Sequence, residues 1–307
     1  MPAPTIYRSN DASAPILSGQ AGALVALLDA CLVTGYGAKA AAGWTKPYTA
    51  TNYAVFRQGG GLQEYLEVLD TDPQMARVTG YEVMTAVITG TGPFPTAAQF
   101  SGGLYCRKSV TANSTARPWI LFATNETFYL FIFGNSTTFG TYSGGDSNLA
   151  FGQLISSLAG DASHAFLIAG TDTSTTGTTT TINRISLPNY GVAGLPGHYL
   201  ARNYTQSGGS FQFGKRSNSL YQQTQSGVAA AAYPEPVSGG LHISEMWALE
   251  TNLTTRGRFP GLLNLGHVYT SFTQFDTFSG GATLSGRDFM FVLSGTYGVV
   301  IETNGGW

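Results

Sequence analysis

The chain has 307 residues, of which only 10 % are Asp, Glu, Lys or Arg, while 12 % are aromatic and 40 residues are glycine. Low charge with many aromatic residues argues against intrinsic disorder, because disordered chains are usually charged and poor in aromatic residues. The formal net charge of −2 argues against nucleic-acid binding, which concentrates Lys and Arg on one face. So few charges protect a monomer poorly against association, and we therefore expect neighbouring subunits to cover much of the surface.

The first predicted element is a helix at about residues 19–34. Apolar residues recur there at helical spacing, at Leu24, Leu27, Leu28, Cys31 and Leu32. Gly35 is placed to end the helix, since glycine is common just beyond a helix C-terminus. Because Cys31 lies within this apolar pattern and far along the chain from Cys106, the sequence favours a buried free thiol over a disulfide.

After the helix the chain is expected to be extended. The segment "NYAVFRQ", followed by three glycines, predicts a strand and a turn. The next segment, residues 62–70, is ambiguous, because Glu64 and Glu67 would also suit one face of a helix. Its position after the glycine turn favours a strand that pairs back on residues 53–57.

Residues 117–134, "RPWILFATNETFYLFIFG", carry the strongest hairpin pattern. Two apolar, aromatic-rich runs flank a polar turn around Asn125 and Glu126. Neither run alternates with polar residues, so both faces should be buried, as in a central layer of a sandwich. Two further strands are predicted in "NLAFGQLISS" and "HAFLIAG".

The tract "TDTSTTGTTTT" at 171–181 has no apolar anchor, and we interpret it as a linker or exposed loop. It would divide an N-terminal β-rich domain, 1–175, from a C-terminal β-rich, loop-rich domain, 176–307, unless the two form one continuous body. Strands are predicted beyond it in "LHISEMWALE" and "RDFMFVLSGTYGVVIET". The predicted class is mainly β, sandwich-like or α+β, with one N-terminal helix and a loop-rich C-terminal region.

The sequence contains no pattern typical of catalysis. The four histidines lack metal-ligand spacing, and the glycines do not form a nucleotide-binding motif. Glycan cleavage needs two nearby carboxylates, and the sequence offers three candidate pairs, namely Glu64/Glu67, Asp70/Asp72 and Glu245/Glu250. Chance proximity explains these pairs better than catalysis. We therefore expect a protein that is not an enzyme, with no catalytic residue, cofactor or metal.

Basic pairs and exposed aromatic residues give weaker indications of ligand binding. The pairs are Arg107–Lys108, Lys215–Arg216 and Arg256/Arg258, each favoured as a solvated turn or a buried ion pair over a phosphate contact. Three aromatic residues, Tyr204, Phe211 and Phe213, could stack on sugar rings and face a ligand. A buried role, or a role between subunits, is favoured for them.

The N-terminal residues lack the pattern of a signal peptide, and no apolar run approaches the length that spans a membrane. We therefore expect a protein that is made in a cytoplasm and does not insert into a membrane.

Several whole segments are familiar. They include "SAPILSGQAGALVALLDACLVTGYGAKAAAGWTKPY", "ARVTGYEVMTAVITGTGPFP", "ARPWILFATNETFYLFIFG", "RGRFPGLLNLGHV" and the terminal "GVVIETNGGW". Together they resemble virion structural proteins of tailed bacteriophages, a group placed among tail and baseplate components. The likeness runs from about residue 12 to the end and is weakest over 171–240. It implies a homo-oligomeric protein that is assembled in the bacterial host cytoplasm and contacts copies of itself and other virion proteins.

Under that reading, residues 43–61 are packing and interface material, with Trp44, Tyr48, Tyr53 and Phe56 as anchors and Arg57 as a polar fixing point. The favoured function is a non-enzymatic structural role at the tail tip or baseplate. One alternative is a host-attachment module in which 171–240 binds a receptor or a bacterial surface glycan. Head decoration, or a head-to-tail position, is a further alternative.

Overall fold

The computed structural model describes residues 2–141, 146–171, 197–217, 233–234, 239–250, 254–267, 271–281, 284–294, 297–305 and 307. These residues form three antiparallel sheets and an N-terminal helix of twelve residues. The predicted mainly β fold with an N-terminal helix is confirmed.

In chain order, the first elements are β1 (Thr5–Arg8), the helix α1 (Ala23–Leu28), which continues as a π-helix (Asp29–Thr34), β2 (Thr45–Ala50), β3 (Tyr53–Arg57), β4 (Tyr65–Leu69), β5 (Met75–Ala86), β6 (Thr89–Phe94) and β7 (Leu104–Arg107). Next come β8 (Trp119–Ala123), β9 (Phe128–Ile132), β10 (Ser147–Gln153), β11 (Ile155–Ser156), β12 (Ala165–Ile168), β13 (His198–Arg202) and β14 (Gly208–Gln212). The last are β15 (Gly214–Ser217), β16 (Ile243–Leu249), β17 (Thr255–Leu265), β18 (Thr277–Ser279), β19 (Asp288–Ser294) and β20 (Tyr297–Glu302).

The central sheet has seven strands in the order β1–β8–β9–β10–β12–β13–β14. Every residue of β8 and β9 is buried, which confirms both the predicted hairpin and the burial of its two faces. Successive side chains alternate between two cores, since Leu121 and Leu130 belong to the first core and Phe122 and Phe131 to the second. Because both faces of this sheet are covered, apolar side chains are favoured on each of them.

The N-terminal sheet covers the first core. Its strands follow the order β2–β3–β4–β5–β6, and β7 pairs with the first part of β5. The predicted strand at 62–70 pairs back on β3, from Tyr53↔Leu69 to Arg57↔Tyr65, so the strand reading of that segment is confirmed. Its inner face, which includes Phe56 and Phe94, packs with the helix against the central sheet.

The C-terminal sheet covers the second core with strands in the order β15–β16–β17–β20–β19–β18. The short strand β11 lies in the chain between β10 and β12 of the central sheet. It pairs with β17 of the C-terminal sheet and so connects the two sheets. Met246, Phe259 and Ile301 contribute to the second core. The strands predicted in "LHISEMWALE" and "RDFMFVLSGTYGVVIET" correspond to β16, β19 and β20.

The helix begins later than the sequence predicted. Helical structure starts at Ala23, after Gly22 with a φ of 82°, and Gly35 ends it with a φ of 78°. The N-terminus is fixed by a distant residue, because the carboxylate of Asp70 accepts hydrogen bonds from the backbone N–H groups of Leu24 (2.7 Å) and Val25 (3.2 Å). Such a cap satisfies donors that a helix leaves unpaired, so the helix starts where Asp70 can reach it.

The boundary between the central and the C-terminal sheet does not fall at residue 175. Strand β13, which follows that position, pairs with β12, which precedes it, whereas the change of sheet falls between Gln212 and Gly214. Most of the threonine tract, 172–181, lies outside the described residues, so its role as a linker remains a prediction, as does the division into two domains.

The two cysteines behave as the sequence suggested. Cys31 and Cys106 are both buried free thiols, and burial raises the pKa of each. Among the residues that the structure describes, no helix is long and apolar enough to cross a bilayer.

Candidate interaction surface

The outer face of the N-terminal sheet carries three rows of side chains across its strands. In the first row, Tyr53 lies opposite Leu69, which lies opposite Arg77. The second row is formed by Val55, Glu67 and Thr79, and the third by Arg57, Tyr65 and Tyr81. Because paired residues in an antiparallel sheet point to the same side, these side chains share one face. We call this face, together with the β5–β6 hairpin, the outer surface.

The β5–β6 hairpin folds back over part of this face. Its Met84 packs against Tyr53 and Val55, and the hydroxyl of Tyr48 donates a hydrogen bond to the Met84 carbonyl (3.2 Å). The backbone N–H of Ile88 donates to the hydroxyl of Tyr53 (2.9 Å). The hairpin is thereby held against the sheet through two tyrosine hydroxyls.

The hairpin tip combines exposure with an unfavourable backbone. Ile88 is 71 % exposed, and Val83 and Val87 are also exposed. The φ of Ile88 is 57°, in the left-handed region that a β-branched residue rarely adopts. Of the seven large hydrophobic residues exposed in the described part of the chain, three lie on this hairpin, so the exposed apolar surface is concentrated there.

A pocket of about 250 Å³ lies on the outer surface beside the hairpin. Its floor is formed by Tyr53, Glu67 and Tyr81 from three adjacent strands. Ile88 of the hairpin and Phe100 of the loop between β6 and β7 contribute walls. The pocket therefore combines aromatic rings with a carboxylate.

The carboxylate of Glu67 is held by tyrosine hydroxyls. Tyr53 donates to Oε1 (2.8 Å), and Tyr81 is also hydrogen-bonded to the carboxylate. Burial raises the pKa of Glu67, and these two hydrogen bonds oppose the rise. Burial also raises the pKa of Tyr81, to about 12. Two arginines lie nearby but stack on other rings, with Arg77 5.4 Å from the Tyr105 centroid and Arg57 5.5 Å from that of Tyr65.

The four anchors and the polar fixing point predicted in residues 43–61 separate into two groups. Trp44 and Phe56 are buried in the first core, where the Trp44 indole N–H donates to the Thr124 carbonyl (2.7 Å). These two therefore pack within one chain. Tyr48, Tyr53 and Arg57 lie on the outer surface, Arg57 half-buried and hydrogen-bonded to Gln63. On β3, strand alternation separates Phe56 from Tyr53 and Arg57. Trp44 precedes β2, whose register shifts between Thr45 and Tyr48.

The three aromatic residues predicted to face a ligand do not form one platform. Tyr204 is 44 % exposed, Phe211 is half-buried and Phe213 is fully buried in the second core. Phe213 packs edge-on against His198, with ring centroids 5.5 Å apart. For Phe213 the ligand-facing alternative is therefore wrong, and the favoured buried role agrees with the structure. It lies between two sheets that only the tertiary structure brings together.

The carboxylates of the three candidate acid pairs contact other groups in the structure. Glu67 lines the outer pocket, whereas Glu64 faces inward and accepts a hydrogen bond from the Ser163 hydroxyl. Residues three apart on a strand point to opposite faces, so the two carboxylates do not meet. Asp70 caps the helix, while Asp72 hydrogen-bonds the backbone of its own turn. In the described ranges, no three His, Cys, Asp or Glu side chains converge as a metal site would require.

The third acid pair is divided between two arginines on β17. Glu245 forms an ion pair with Arg258, whose side chain is about two-fifths exposed, and Glu250 lies 3.6 Å from the buried Arg256. Each carboxylate therefore has its own cationic neighbour.

We expect Glu64→Gln to stabilise the protein increasingly as the pH rises. Burial raises the pKa of Glu64 to about 8, and its Oε2 has no hydrogen-bond partner among the described residues. Because the folded-state pKa lies above that of the unfolded chain, stability present at acidic pH is lost as the pH rises towards about 8. Urea unfolding of both proteins at about pH 5 and about pH 9 measures the difference. An equal difference at both pH values would contradict the expectation.

The chain matches no protein-family model and no curated protein.

The outer surface contains residues that sequence reasoning missed. Ile88 and its hairpin were not predicted, because Val87–Ile88 at the turn reads as a continuation of a strand. The sequence places Glu67 in the strand predicted at 62–70 and in a candidate acid pair, but it does not predict a pocket there. The alternation of "YLEVL", with Tyr65 and Glu67 on one face and apolar residues on the other, could have placed it outside the core.

Proposed function

We propose that this protein is a non-enzymatic structural component of a tailed-phage virion, at the tail tip or baseplate, and that it acts through contacts between subunits. The particle assignment is supported by the resemblance of whole segments to virion structural proteins of tailed phages. A second support is the composition. Only 10 % of the residues in the chain are charged, and so few charges protect an isolated monomer poorly against association.

The proposed role in contacts between subunits rests on the exposure and backbone conformation of Ile88. Neither solubility nor backbone conformation favours an exposed isoleucine with a φ of 57°, since glycine or asparagine would suit that position better. Strained residues persist where the surrounding structure or a function requires them. We infer that the hairpin tip is covered by a neighbouring copy of the chain.

The outer surface also has the chemistry of an interface. Tyrosines and arginines are enriched in such contacts, and Tyr48, Tyr65 and Arg57 lie around the buried Tyr53 and Val55. The edge strand β2 contains Pro47, which cannot donate a ladder hydrogen bond. Contact through the sheet face is therefore favoured over extension of the sheet at this edge.

We expect Ile88→Asn to stabilise the monomer and to weaken its association. Asparagine tolerates the left-handed conformation, so the unfolding free energy should rise by about 1 kcal/mol. Loss of the apolar tip should weaken self-association, measured by sedimentation velocity, by at least about tenfold. The matched control is Ile16→Asn, because Ile16 is 68 % exposed but lies outside the left-handed region.

The control should neither stabilise the chain nor alter its association. Equal weakening by the two substitutions would mean that general hydrophobicity, and not the hairpin, drives association. The particle assignment is tested separately by a cryo-EM map of the intact virion. Density at the tail end would support the proposal, density on the capsid would overturn the tail position, and absence from the particle would overturn both.

A further inference from the structure

We propose that the pocket on the outer surface binds the cationic end of a ligand, a primary ammonium or a guanidinium group, at the carboxylate of Glu67. Glu67 is central in the floor, because it lies opposite Val55 on one side and Thr79 on the other. Tyr53 and Tyr81 occupy diagonal positions on the two flanking strands and line the same pocket. The carboxylate is thus presented in the middle of a sheet face.

The charge of Glu67 is not balanced within the described chain. No described Lys, Arg or His lies within 4.0 Å of its carboxylate, whereas other buried or half-buried acids such as Asp70, Asp161 and Glu82 have such partners. Its hydrogen bonds come from neutral tyrosine hydroxyls. A cationic donor would stabilise such an unpaired carboxylate more than a neutral donor, since hydrogen bonds between charged groups are stronger than neutral ones.

The carboxylate is also held in place. The N–H of Ile88 donates to the Tyr53 hydroxyl, and that hydroxyl donates to Oε1 of Glu67. This chain of two hydrogen bonds, 2.9 and 2.8 Å long, connects the hairpin tip to the pocket floor. The acceptor is therefore oriented before a ligand arrives, which reduces the entropy lost on binding.

The walls suit the rest of such a ligand. Tyr81, Phe100 and Pro93 line the pocket and offer aromatic and apolar surface to an alkyl stem, while aromatic faces attract cations. The volume of about 250 Å³ suits a single side chain or a small alkylammonium ion, because drug-sized ligands occupy larger pockets. Arg77, on the rim, is already stacked on Tyr105.

The test is an NMR titration of the purified full chain with n-butylammonium and with methylguanidinium at mildly alkaline pH. Methyl α-glucopyranoside is the neutral comparison. We expect saturable shifts of the amides of Ile88, Gly102 and Gly103, which line the pocket. Glu67→Gln, which keeps the shape but removes the charge, should weaken binding by about tenfold or more. The matched control is Glu126→Gln, because Glu126 is half-buried outside this pocket.

A second variant guards against misfolding of Glu67→Gln. Ala97 is exposed and lines the pocket, so Ala97→Trp should fill it without altering its floor and should abolish the shifts. The proposal is overturned if neither cation gives saturable shifts, if Glu67→Gln binds as well as the wild type, or if only the glycoside binds. The titration uses the isolated chain, so its result does not depend on a virion role.

The cation could come from a free small molecule or from a side chain of a second copy, and one further measurement separates these sources. If a second copy supplies it, n-butylammonium should weaken self-association in sedimentation velocity, and Glu67→Gln should do the same. If self-association is unchanged at saturating n-butylammonium, the ligand is a free molecule. Both results are compatible with the pocket, whose existence the NMR titration decides.

Discussion

Lys108→Met should reduce the unfolding free energy by about 3–5 kcal/mol, the range measured when one partner of a buried ion pair is removed. Both Lys108 and Asp70 are fully buried and form an ion pair. The ammonium group also donates to the carbonyls of Gln20 (2.6 Å) and Asp72 (3.0 Å). Without Lys108, the Asp70 carboxylate that caps the helix would be left buried and uncompensated.

The matched control is Lys46→Met. Lys46 pairs with Asp29 at 2.7 Å, but both side chains are about one-quarter exposed, so its loss should cost less than about 1 kcal/mol. The cost of Lys108→Met should shrink at acidic pH, because protonation of Asp70 removes the uncompensated charge. Urea unfolding measures both effects, and equal costs for the two lysines would contradict the argument.

Arg256→Met should have an effect of similar size, about 3–5 kcal/mol. Arg256 is buried and binds Asp161 through both of its terminal nitrogens, with one N–O distance of 2.7 Å. It also donates to the Ser163 carbonyl (2.8 Å). Burial acts to raise the pKa of Asp161, but hydrogen bonds from Arg256 and Ser156 hold it below its usual value. The substitution would leave this carboxylate charged at the junction of two sheets.

Its neighbour on the same strand is the control. Arg258 pairs with Glu245, and both side chains are about two-fifths exposed, so Arg258→Met should cost less than about 1 kcal/mol. Calorimetry or urea unfolding would compare the two variants. If Arg258→Met were the more damaging, burial of the Arg256–Asp161 ion pair would not be what determines the loss of stability.

These lysines and arginines illustrate what the sequence can and cannot predict. The sequence allowed each basic pair to be a solvated turn or a buried ion pair. Lys108 and Arg256 form buried ion pairs, whereas Arg258 forms an ion pair that is about two-fifths exposed. Arg256 and Arg258 are two apart on one strand, so periodicity gives them the same face. In the structure the pairing of β17 with β16 shifts register at Arg256, which interrupts this periodicity, and Asp161 and Ser163, distant in sequence, bind the side chain of Arg256.

Strong local patterns were predicted correctly. The helical spacing of the leucines and the unbroken apolar runs of β8 and β9 identified these elements and the burial of both faces. Pairing between strands that lie far apart in sequence could not be predicted. Examples are the pairing of β1 with β8 and of β11 with β17. Nothing local specifies such partners, which are selected by the shape and burial of whole layers.

The outer surface was only partly predictable for the same reason. The resemblance to phage virion proteins, together with the aromatic composition of residues 43–61, predicted Tyr48, Tyr53 and Arg57 as interface residues. Strand alternation in β3 explains why Tyr53 and Arg57 separate from Phe56. The pocket required three strands and a hairpin to meet, and the hairpin turn lacks the Gly, Asn or Asp that usually marks one.

The strand order of the central sheet has a consequence for synthesis on the ribosome. The N-terminal sheet is contained in residues 45–107, so its hydrogen-bonding partners emerge early. The central sheet that covers its inner face begins with β1 at Thr5 but is completed only when β14 has emerged, at Gln212. During that interval the nascent chain exposes the apolar residues of its first core, and we expect it to need protection by chaperones until the middle layer closes.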